Sequence, residues 1–449
     1  MSSIGDFCAE LKSDDGNFVV EALAKELHPD WVREALRETG KESIRERLLP
    51  ATFTLWFVIL LGLFRRVSYV NLLEKLVGSP WVGARWPEGG PPNTTAVTSA
   101  RDRLGMDPLR HLWERSAREW QTSSAGMIFH DRRVYALDGS TFKTPDTEEN
   151  RRWFGKPGAS RGRAAYPQMR AVLVVDIGAR LIAAERHGPY SSCEIQLARE
   201  LLPVIPKRSL VLMDRHFLAY DLLWDLHAGE RDFVVRVPKN IKPRLLRRLG
   251  PGDAIVEVAI PRNYRRTRPD MPRTWTLRMI SYRPAGRKET IRLFTSLVLE
   301  TEITKAALAA LYHERWEEET VIDEIKTHLC DCQTVNRAVV FRSRASLRVE
   351  QEWYGLLLAY NGVRKVMGAA AEAEEVCPCR LSFTAAVERL RETVYDMLSL
   401  STRRLPARYA RLLLQVARAD VPERPGRKNP RAVKIKMSKF PLKPSKRAA

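Results

Sequence analysis

Ser209-Leu-Val-Leu-Met-Asp214 is a short apolar run that ends in a carboxylate, and Val134-Tyr-Ala-Leu-Asp138 repeats that pattern earlier in the chain. Continuous apolar runs of this length are typical of strands buried inside an α/β sheet. Side chains at the ends of such strands leave the core while the backbone stays rigid, and ligands of open sheets bind there. The pattern therefore predicts two aspartates, Asp138 and Asp214, at one edge of a sheet, although a single aspartate more often opens a turn or caps a helix.

Around these two runs, the spacing of apolar residues changes repeatedly between the alternation typical of strands and the longer period typical of helices. This pattern predicts a mixed α/β domain. Two alternating segments flank an Ile-Gly-Ala turn, and this arrangement favours a hairpin. The predicted elements are strands at 169–176, 180–186, 232–237 and 292–298, and helices at 193–202, 217–228, 305–329 and 346–367. Residues 239–290 are basic, rich in proline and strand-like in patches.

In residues 1–122 the apolar residues recur with the period of a helix, so this part is predicted to form an all-helical domain. The predicted helices span 17–28, 30–39, 42–48, 50–65, 69–77, 94–104 and 107–121. The apolar run at 48–64 is shorter than the roughly 20 residues of a membrane span and contains Pro50, so we expect a buried core helix. The segment 93–105 carries small residues and arginines between an N-cap residue and a glycine, which fits either a groove-reading helix or a plain structural helix.

The chain of 449 residues is strongly basic, because 75 lysines and arginines against 54 aspartates and glutamates give a net charge of +21. Charge of this sign indicates a polyanionic partner, either nucleic acid or an anionic membrane surface. Nucleic acid is favoured, since no membrane segment is predicted. Residues 401–449 hold 15 of the basic residues and two acids. We therefore predict a DNA-binding arm at 421–449 that includes Lys434, Lys436 and Lys439, or else a solvated tail.

The composition also bears on location and cofactors. Six cysteines in a chain of this length do not form a disulfide framework, which favours a reducing compartment. The first residues carry acids where an export signal has a basic and then an apolar segment, so we expect a cytoplasmic protein. The C-x-C spacing of Cys330, Cys332, Cys377 and Cys379 argues against a zinc site. The basic loop at 155–163 lacks a Walker pattern, so no use of ATP is expected.

A further carboxylate comes from the stretch Leu311-Tyr-His-Glu-Arg-Trp-Glu-Glu-Glu-Thr-Val-Ile-Asp-Glu-Ile-Lys326. At roughly 100° per residue, the side chains of four residues share one narrow face of a continuous helix. These residues are Tyr312, Arg315, Glu319 and Lys326. Such a stripe makes a poor core face and favours a surface that holds a metal ion and DNA phosphates, or else an ordinary surface laced with ion pairs.

Three carboxylates, Asp138, Asp214 and Glu319, are therefore predicted to hold Mg²⁺, with Mn²⁺ as a substitute. Hard cations prefer oxygen ligands and keep several waters, so two or three carboxylates suffice. A pair of such ions can activate a water or a 3′-hydroxyl and stabilise the leaving oxygen at a phosphodiester. Asp323 lies on the same helical face and is a rival ligand. The other acids of the helix are predicted to point elsewhere: Glu317, Glu318 and Glu324.

The spacing Tyr-x2-Arg-x3-Glu-x6-Lys, from Tyr312 to Lys326, resembles the signature of the insertion-sequence-4 family of DDE transposases. The resemblance continues outside the helix, in the order that this family has, from about residue 15 to residue 440. The further matching segments are Leu137-Asp-Gly-Ser140, Val211-Leu-Met-Asp-Arg-His-Phe217, the helix at 350–361 and the N-terminal stretch from Arg47-Leu-Leu-Pro-Ala51 to Arg103-Leu-Gly105.

The resemblance implies an RNase H-like catalytic core that is interrupted by a β-rich insertion between the second aspartate and the glutamate. The implied division is a helical N-terminal DNA-binding domain at 1–122, the two parts of the core at 123–237 and 305–368, the insertion at 238–304, and C-terminal helices with the basic arm at 369–449. A prokaryotic, nucleoid-associated protein is expected on the same grounds.

The resemblance also implies roles for individual residues. Asp138, Asp214 and Glu319 would bind Mg²⁺ and carry the catalysis, while Tyr312, Arg315 and Lys326 would handle phosphate at the transposon end. Arg215 follows the second aspartate directly and either contacts phosphate or forms a structural ion pair.

The predicted function is a cut-and-paste DNA transposase, in which water attacks at the transposon end and the freed 3′-hydroxyl then attacks target DNA. The expected partners are double-stranded DNA, as terminal inverted repeats and as target, and a second copy of the chain, because two ends must be held together. Neither a membrane nor ATP is expected. Two other interpretations stay open: an inactive, domesticated or decayed transposase that only binds DNA, and a simple RNase H-like nuclease.

Overall fold

The structure is a computed structural model that describes most of the chain between residues 19 and 421. Within those limits it does not cover residues 46, 78, 80, 81, 83–85, 87–89, 160, 161, 164, 165, 285–288, 299–301 and 331–340. The predicted basic arm, with Lys434, Lys436 and Lys439, and also Cys332, therefore lie outside the described residues. Among the helices of the described part, none combines the length and the apolar character needed to cross a bilayer.

The described strands and helices alternate along the middle of the chain and give way to helices at both ends. The strands are β1 (Ile128–Phe129), β2 (Arg132–Lys143), β3 (Gly158–Ala159), β4 (Gly162–Arg163), β5 (Gln168–Asp176), β6 (Leu181–Pro189), β7 (Ser209–Met213), β8 (Asp232–Arg236), β9 (Arg244–Gly250), β10 (Asp253–Ala259), β11 (Thr274–Tyr282) and β12 (Ile291–Thr295). The helices are α1 (Glu21–Ala24), α2 (Pro29–Glu38), α3 (Ala51–Leu63), α4 (Tyr69–Leu76), α5 (Thr94–Leu104), α6 (Asp107–Thr122), α7 (Glu148–Phe154), α8 (Glu194–Leu201), α9 (Tyr220–Ala228), α10 (Arg262–Thr267), α11 (Lys305–Glu314), α12 (Trp316–Asp323), α13 (Ser346–Ala373), α14 (Phe383–Ser399) and α15 (Leu405–Ala417).

The main sheet has the strand order β6-β5-β2-β7-β8-β12-β11-β10-β9, and β1 pairs with the start of β2. The hairpin of β5 and β6 is antiparallel to β2, whereas β7 and β8 run parallel to it. The apolar residues of β2 and β7 are buried on both faces, as their composition predicts. This order confirms the predicted α/β class with an RNase H-like core.

The register between β2 and β7 decides where the two aspartates lie. Leu137 pairs with Met213 in the parallel ladder, so the next residue of each strand leaves the sheet at the same end. Those residues are Asp138 and Asp214. Neighbouring parallel strands are about 4.8 Å apart, which makes the two carboxylates neighbours at one edge.

The segment predicted as a β-rich insertion continues this sheet. Strand β12 pairs antiparallel with β8 through Phe294 and Val235, and β11, β10 and β9 follow outward as a meander. The buried Trp275 of β11 packs on Trp224 of α9 at 5.3 Å between ring centroids. The strands between β8 and α11 are therefore joined to the core by hydrogen bonds and by a shared apolar layer.

Two helices form the centre of the helical part. The apolar run predicted as a core helix is α3, which is buried almost along its whole length, and it crosses α13. A Cβ on Gly62 would lie 2.4 Å from the carbonyl oxygen of Gly355, and a Cβ on Gly355 would lie 2.6 Å from that of Val58. The absence of side chains at these two glycines thus allows the backbones to touch.

Two predictions for helices are wrong. The described residues within 42–48 are not helical, because the segment lacks a face that can be buried: Ile44 is 99% exposed and Leu48 is 60% exposed. Ser43 instead accepts a hydrogen bond from the Ala51 N–H at 2.8 Å, which satisfies a donor at the start of α3. The long helix predicted at 305–329 is interrupted at Arg315 and continues after α12 as a π-helical turn, Glu324–Leu329.

Candidate active site

The ends of β2 and β7 hold the first two carboxylates in defined orientations. Oδ1 of Asp138 accepts a hydrogen bond from the Gly139 N–H at 2.7 Å. Oδ1 of Asp214 accepts from the His216 N–H at 2.6 Å and caps the 3₁₀ turn Arg215–Phe217. Both side chains are half-buried. Asp214 thus has the capping role that a lone aspartate often has, in addition to its place beside Asp138.

Helix α11 is fixed against the strand that carries Asp214. The hydroxyl of Tyr312 donates to the carbonyl oxygen of Met213 at 3.2 Å, and the ring is 4% exposed. Burial, opposed by the nearby charge of Arg315, raises the pKa of the hydroxyl to about 12, so it stays a hydrogen-bond donor. Tyr312 therefore ties the C-terminal end of α11 to the residue that precedes Asp214.

Arg315 links the third carboxylate to the first. Its Nη1 lies 3.6 Å from Oδ2 of Asp138, and its Nη2 lies 3.3 Å from Oε1 of Glu319. The side chain is 8% exposed, and its Nε has no hydrogen-bond partner among the described residues. A single guanidinium thus stands between two carboxylates that are far apart in the sequence.

The stripe predicted on one helix face is only partly a surface. Tyr312 and Arg315 are buried, so the expectation that both lie on an exposed face is wrong. The physical reason is that the helix is not a free cylinder: α11 and α12 pack against the sheet, and Tyr312 lies in the layer of apolar side chains beneath them. Glu319 and Lys326 are half-buried.

Lys326 lies on the π-helical turn and reaches β2 beyond the first aspartate. Its Nζ donates to Oγ of Ser140 at 2.6 Å and lies 4.6 Å from the ring centroid of Phe142. The rival ligand Asp323 points away from the strand ends: its side chain is 61% exposed and accepts from Thr327 Oγ1 at 2.6 Å. The backbone places Lys326, and not Asp323, beside the strand that carries Asp138.

The electrostatics show that the acids act on one another. Burial raises the pKa of Asp138 to about 6, and the charges of Asp214 and Glu319 add to that rise, while the Gly139 N–H and Arg315 oppose it. Nevertheless, in the part of the chain that the structure describes, no three His, Cys, Asp or Glu side chains are arranged to hold one metal ion. The carboxylates are thus near one another but do not converge on a point, and Arg315 bridges two of them.

One acid that the sequence analysis set aside belongs to this cluster. Glu318 is fully buried, and neither of its carboxyl oxygens has a hydrogen-bond partner among the described residues. The helical wheel places Glu318 away from the face of Glu319, yet its helix packs against β2, and the charge of Asp138 acts on its carboxyl group. The signal that could have found it is the run Glu317-Glu318-Glu319, because three consecutive acids cover more than half of a helix and one of them faces the sheet when the helix packs against it.

The remaining predicted residues make no described contact with the acids or lie outside the described range. Arg215 is exposed on the turn after Asp214. Of the four cysteines considered for zinc, Cys330 and Cys379 are half-buried and Cys377 is exposed. The other two acids of the helix have partners: Glu317 pairs with Arg180 and Glu324 with Arg364.

Comparisons of the sequence with known proteins agree on one family. Residues 129–361 match the family described as the transposase DDE domain, and residues 18–114 match the insertion element 4 transposase N-terminal family. The transposase InsG for insertion sequence element IS4 of Escherichia coli (strain K12) is 28% identical over 429 residues, which cover 95% of this chain and 94% of that protein. The putative transposase InsZ of the same organism is 27% identical over 241 residues, which cover 50% of this chain and 74% of that protein. Among solved structures, a piggyBac transposase synaptic complex with hairpin DNA has a TM-score of 0.43 and 12% identity over 95% of this chain and 87% of that chain.

Proposed function

Since the chain belongs to the DDE transposase family, whose members cleave and join DNA, we propose that it moves a DNA element by a cut-and-paste route at the strand-end acids described above. The observation that carries this proposal is the pairing of Leu137 with Met213 in a parallel ladder. That register brings Asp138 and Asp214 to one edge, where Arg315 bridges to Glu319. This register and the two contacts of Arg315 support a shared role for three acids that are far apart in the sequence.

In this proposal Asp138, Asp214 and Glu319 hold Mg²⁺, with Mn²⁺ as a substitute. The donor set fits such a cation in kind, since all its atoms are hard carboxylate oxygens. Among the described residues, the buried oxygens of Glu318 have no hydrogen-bond partner. The mutual repulsion of these acids, which contributes to the raised pKa of Asp138, also favours a cation. When bound, Mg²⁺ lowers the pKa of an attacking water and stabilises the charge on the leaving oxygen of a phosphodiester.

The residues of the chain position DNA for this chemistry. Arg315 leaves its bridge between Asp138 and Glu319 and binds a phosphate at the transposon end, because a guanidinium matches phosphate oxygens as well as carboxylates. Lys326, at the end of a half-buried stem, neutralises a neighbouring phosphate. Tyr312 keeps its hydrogen bond to Met213 and holds α11 against β7 while the DNA is cleaved and joined.

The partner in this proposal is double-stranded DNA, both as terminal inverted repeats and as target. A pocket of about 350 Å³ between the loop 40–49 and α5 supports a DNA-binding role for the N-terminal helices. Its lining includes four basic side chains and one acid, Glu42, and an excess of basic side chains is typical of phosphate contacts. The basic side chains are those of Lys41, Arg45, Arg47 and Arg103. Arg215 and the basic arm at 421–449 would add further contacts, and a dimer would hold the two ends together.

The test uses purified full-length protein, Mg²⁺ and linear DNA that carries the segments flanking the reading frame. We expect cleavage at the element ends and joining to a target plasmid. The variants Asp138→Asn, Asp214→Asn and Glu319→Gln should lose both reactions by at least about 10³-fold, since the metal contributes several kcal/mol and each 1.4 kcal/mol is tenfold. End binding should stay within a few-fold of the wild type.

Asp323→Asn is the matched control, because it removes an exposed acid from the same helix. It should leave cleavage intact. If one of the three acid variants keeps its cleavage activity, that residue is not a metal ligand. Binding without any cleavage by the wild type would instead indicate a domesticated protein that has lost its catalysis, and cleavage without joining would indicate a nuclease.

A further inference from the structure

Glu194, the first residue of α8, reaches the edge of the sheet where the two aspartates lie. Its side chain is 14% exposed, and its Oε1 forms an ion pair with Arg170 of β5. The other oxygen, Oε2, lies 3.2 Å from Nε2 of His216. Helix α8 is fixed on the sheet, because it packs on β5 and β6 and buries its leucine and alanine side chains there. The carboxyl group is therefore held at this edge.

The same carboxyl group fills a space that the sequence leaves open at Gly139. Tyr135 and Leu137 of β2 belong to the apolar layer that includes the buried residues of α8. Since side chains alternate along a strand, a side chain at position 139 would point to that face as well. A Cβ on Gly139 would lie 2.7 Å from Cδ and 2.8 Å from Oε2 of Glu194. Glu194 thus lies against the backbone directly after Asp138.

These contacts involve the two residues that orient the aspartates. The Gly139 N–H donates to Oδ1 of Asp138 at 2.7 Å. The His216 N–H donates to Oδ1 of Asp214 at 2.6 Å. Each aspartate thus accepts a hydrogen bond from a residue that Glu194 contacts. One side chain therefore connects the ends of both parallel strands.

Glu194 differs from the other acid of its helix. The side chain of Glu200 is 50% exposed, and its Oε2 lies 3.8 Å from Nε of Arg186, which is the geometry of an ordinary surface ion pair. Glu194 is more buried although it lies at the same edge as two aspartates, where like charges repel one another. The ion pair with Arg170 offsets that repulsion. A surface ion pair does not require this position, whereas contact with both strand ends does.

We propose that Glu194 is a positioning residue for DNA cleavage, whose carboxylate contacts Gly139 and His216 together and thereby sets the placement of Asp138 relative to Asp214. The inference rests on the proposed function, since it presumes that these two aspartates act in cleavage. In this role Glu194 contacts neither the DNA nor a cation. Because reacting groups must be placed to within about 0.5 Å, loosening of either strand end lowers the rate of cleavage more than the affinity for DNA.

The experiment compares single-turnover cleavage, end binding and amide hydrogen exchange in the full-length protein, with Mg²⁺ and linear DNA that carries the segments flanking the reading frame. Glu194→Ala should slow cleavage by about 10- to 100-fold, since a misplacement of about 1 Å can cost roughly 100-fold. It should leave end binding unchanged. Without DNA, exchange should become faster in the segments that contain Gly139 and His216. Glu200→Gln is the matched control from the same helix and should behave as the wild type in all three measurements.

A second variant moves the carboxyl group without removing it. Gly139→Ala places a methyl group against Cδ of Glu194, so we expect slower cleavage at unchanged affinity. In the double variant Gly139→Ala/Glu194→Ala that space is free, so its cleavage rate should equal that of Glu194→Ala. If the two substitutions instead slow cleavage independently, the methyl group acts on Asp138 without Glu194, and the inference is wrong.

The possible results separate this inference from the proposed function. If Asp138→Asn abolishes cleavage while Glu194→Ala cleaves as the wild type and changes only the melting temperature, Glu194 is the partner of a structural ion pair. The inference is then wrong while the proposed site stands. If Asp138→Asn and Asp214→Asn both cleave as the wild type, the proposed function is wrong and this role is wrong with it, even where hydrogen exchange shows that Glu194 fixes both segments.

Discussion

Two clusters of buried charge in this chain have opposite hydrogen-bonding states. The helical ion cluster consists of Arg65, Arg101, Arg342, Gln351 and Glu352, and it links the segment after α3 with α5, with α13 and with the residues before α13. Arg65 donates to Glu352 at 2.8 Å, with both side chains at most 3% exposed, and Glu352 also accepts from the Arg342 N–H at 3.0 Å. The guanidinium of Arg101 donates to the Gln351 side chain at 3.0 Å and to three further oxygens.

The acidic cluster proposed to be catalytic, which we call the catalytic cluster, consists of Asp138, Asp214, Arg315, Glu318 and Glu319. Arg315 and Glu318 are buried and the other three are half-buried, and the cluster is poorly satisfied. Its ion pairs are long, at 3.3 and 3.6 Å, and Nε of Arg315 and both oxygens of Glu318 lack partners among the described residues. Acids also outnumber the single cation. The helical ion cluster has one such atom, Nε of Arg342, so the two clusters differ in the number of unsatisfied polar atoms and in the balance of their charges.

The two clusters also differ in the direction of their pKa shifts. Although burial opposes the charge of Glu352, the arginines around it lower its pKa to about 2. Burial and neighbouring acids instead raise the pKa of Asp138 to about 6. In the helical ion cluster, arginines of the protein balance the negative charge of Glu352. The catalytic cluster instead has an excess of negative charge that a cation can neutralise.

The largest expected effect comes from breaking the helical ion cluster. Arg65→Met leaves Glu352 buried without its main partner, and removing one partner of a buried pair typically destabilises a protein by about 3–5 kcal/mol. Urea unfolding followed by circular dichroism measures the change. The exposed pair of Arg110 and Asp107 provides the control, since Arg110→Ala should cost about 0.5 kcal/mol or less. A loss below about 1 kcal/mol for Arg65→Met would show that this cluster does not hold the helices together.

The next effect is a difference in pH dependence. Asp138 binds its proton more tightly in the folded chain than in the unfolded one, so the stability that it contributes is present below about pH 4 and is lost as the pH rises to about 6. For a shift of about two units the loss is on the order of 2–3 kcal/mol. Glu352 has the opposite sign, and its stability is lost as the pH falls toward 2.

The measurement is urea unfolding in EDTA between pH 4 and pH 7.5, for the wild type and for Asp138→Asn. We expect the difference in stability between the two proteins to change with pH in this range, because the variant lacks the titrating group. A difference that stays constant would mean that Asp138 has an ordinary pKa and that the catalytic cluster is not short of positive charge.

Several features of these clusters could be predicted from the sequence, and the reasons for the failures are physical. The apolar runs before Asp138 and Asp214 are sufficient to predict buried strands that end in aspartates, whereas the register that aligns the two ends is seen only in the structure. The spacing of Tyr312, Arg315 and Glu319 shows that they share a helix face, but it does not show that this face is turned toward the sheet. Glu318 was set aside because a helical wheel ignores what packs against the helix.

The helical ion cluster could not be predicted from the sequence, for a different reason. Arg65 and Glu352 are separated by 287 positions, and no local pattern connects them. The segment at 42–48 was predicted as a helix from its period, yet only tertiary burial decides whether an apolar stripe is used, and Ile44 lies in solvent. The outcome for the basic arm stays a prediction, since it lies outside the described residues.

A smaller effect tests whether Arg315 takes the place of a cation. Arg315→Gln removes the positive charge that bridges Asp138 and Glu319 and should strengthen Mn²⁺ binding without DNA by about three- to tenfold, which corresponds to roughly 1 kcal/mol. Cleavage of DNA should nevertheless fall, because a phosphate contact is lost. Arg315→Lys keeps the charge and should bind Mn²⁺ much as the wild type does. Weaker Mn²⁺ binding by Arg315→Gln would show that the arginine orders the acids instead of competing for them.

The smallest effect concerns Lys326, which belongs to neither cluster but borders on the catalytic one. If its Nζ exchanges Ser140 for a DNA phosphate, Lys326→Ala should weaken end binding a few-fold and reduce the slope of log affinity against log salt by about one unit. Ser140→Ala removes the hydroxyl and leaves the charge, so its slope should equal that of the wild type. Filter binding between 50 and 200 mM salt measures both. If Lys326→Ala leaves the slope unchanged, the ammonium group of Lys326 in the wild type stays on β2 when DNA binds and makes only a structural contact.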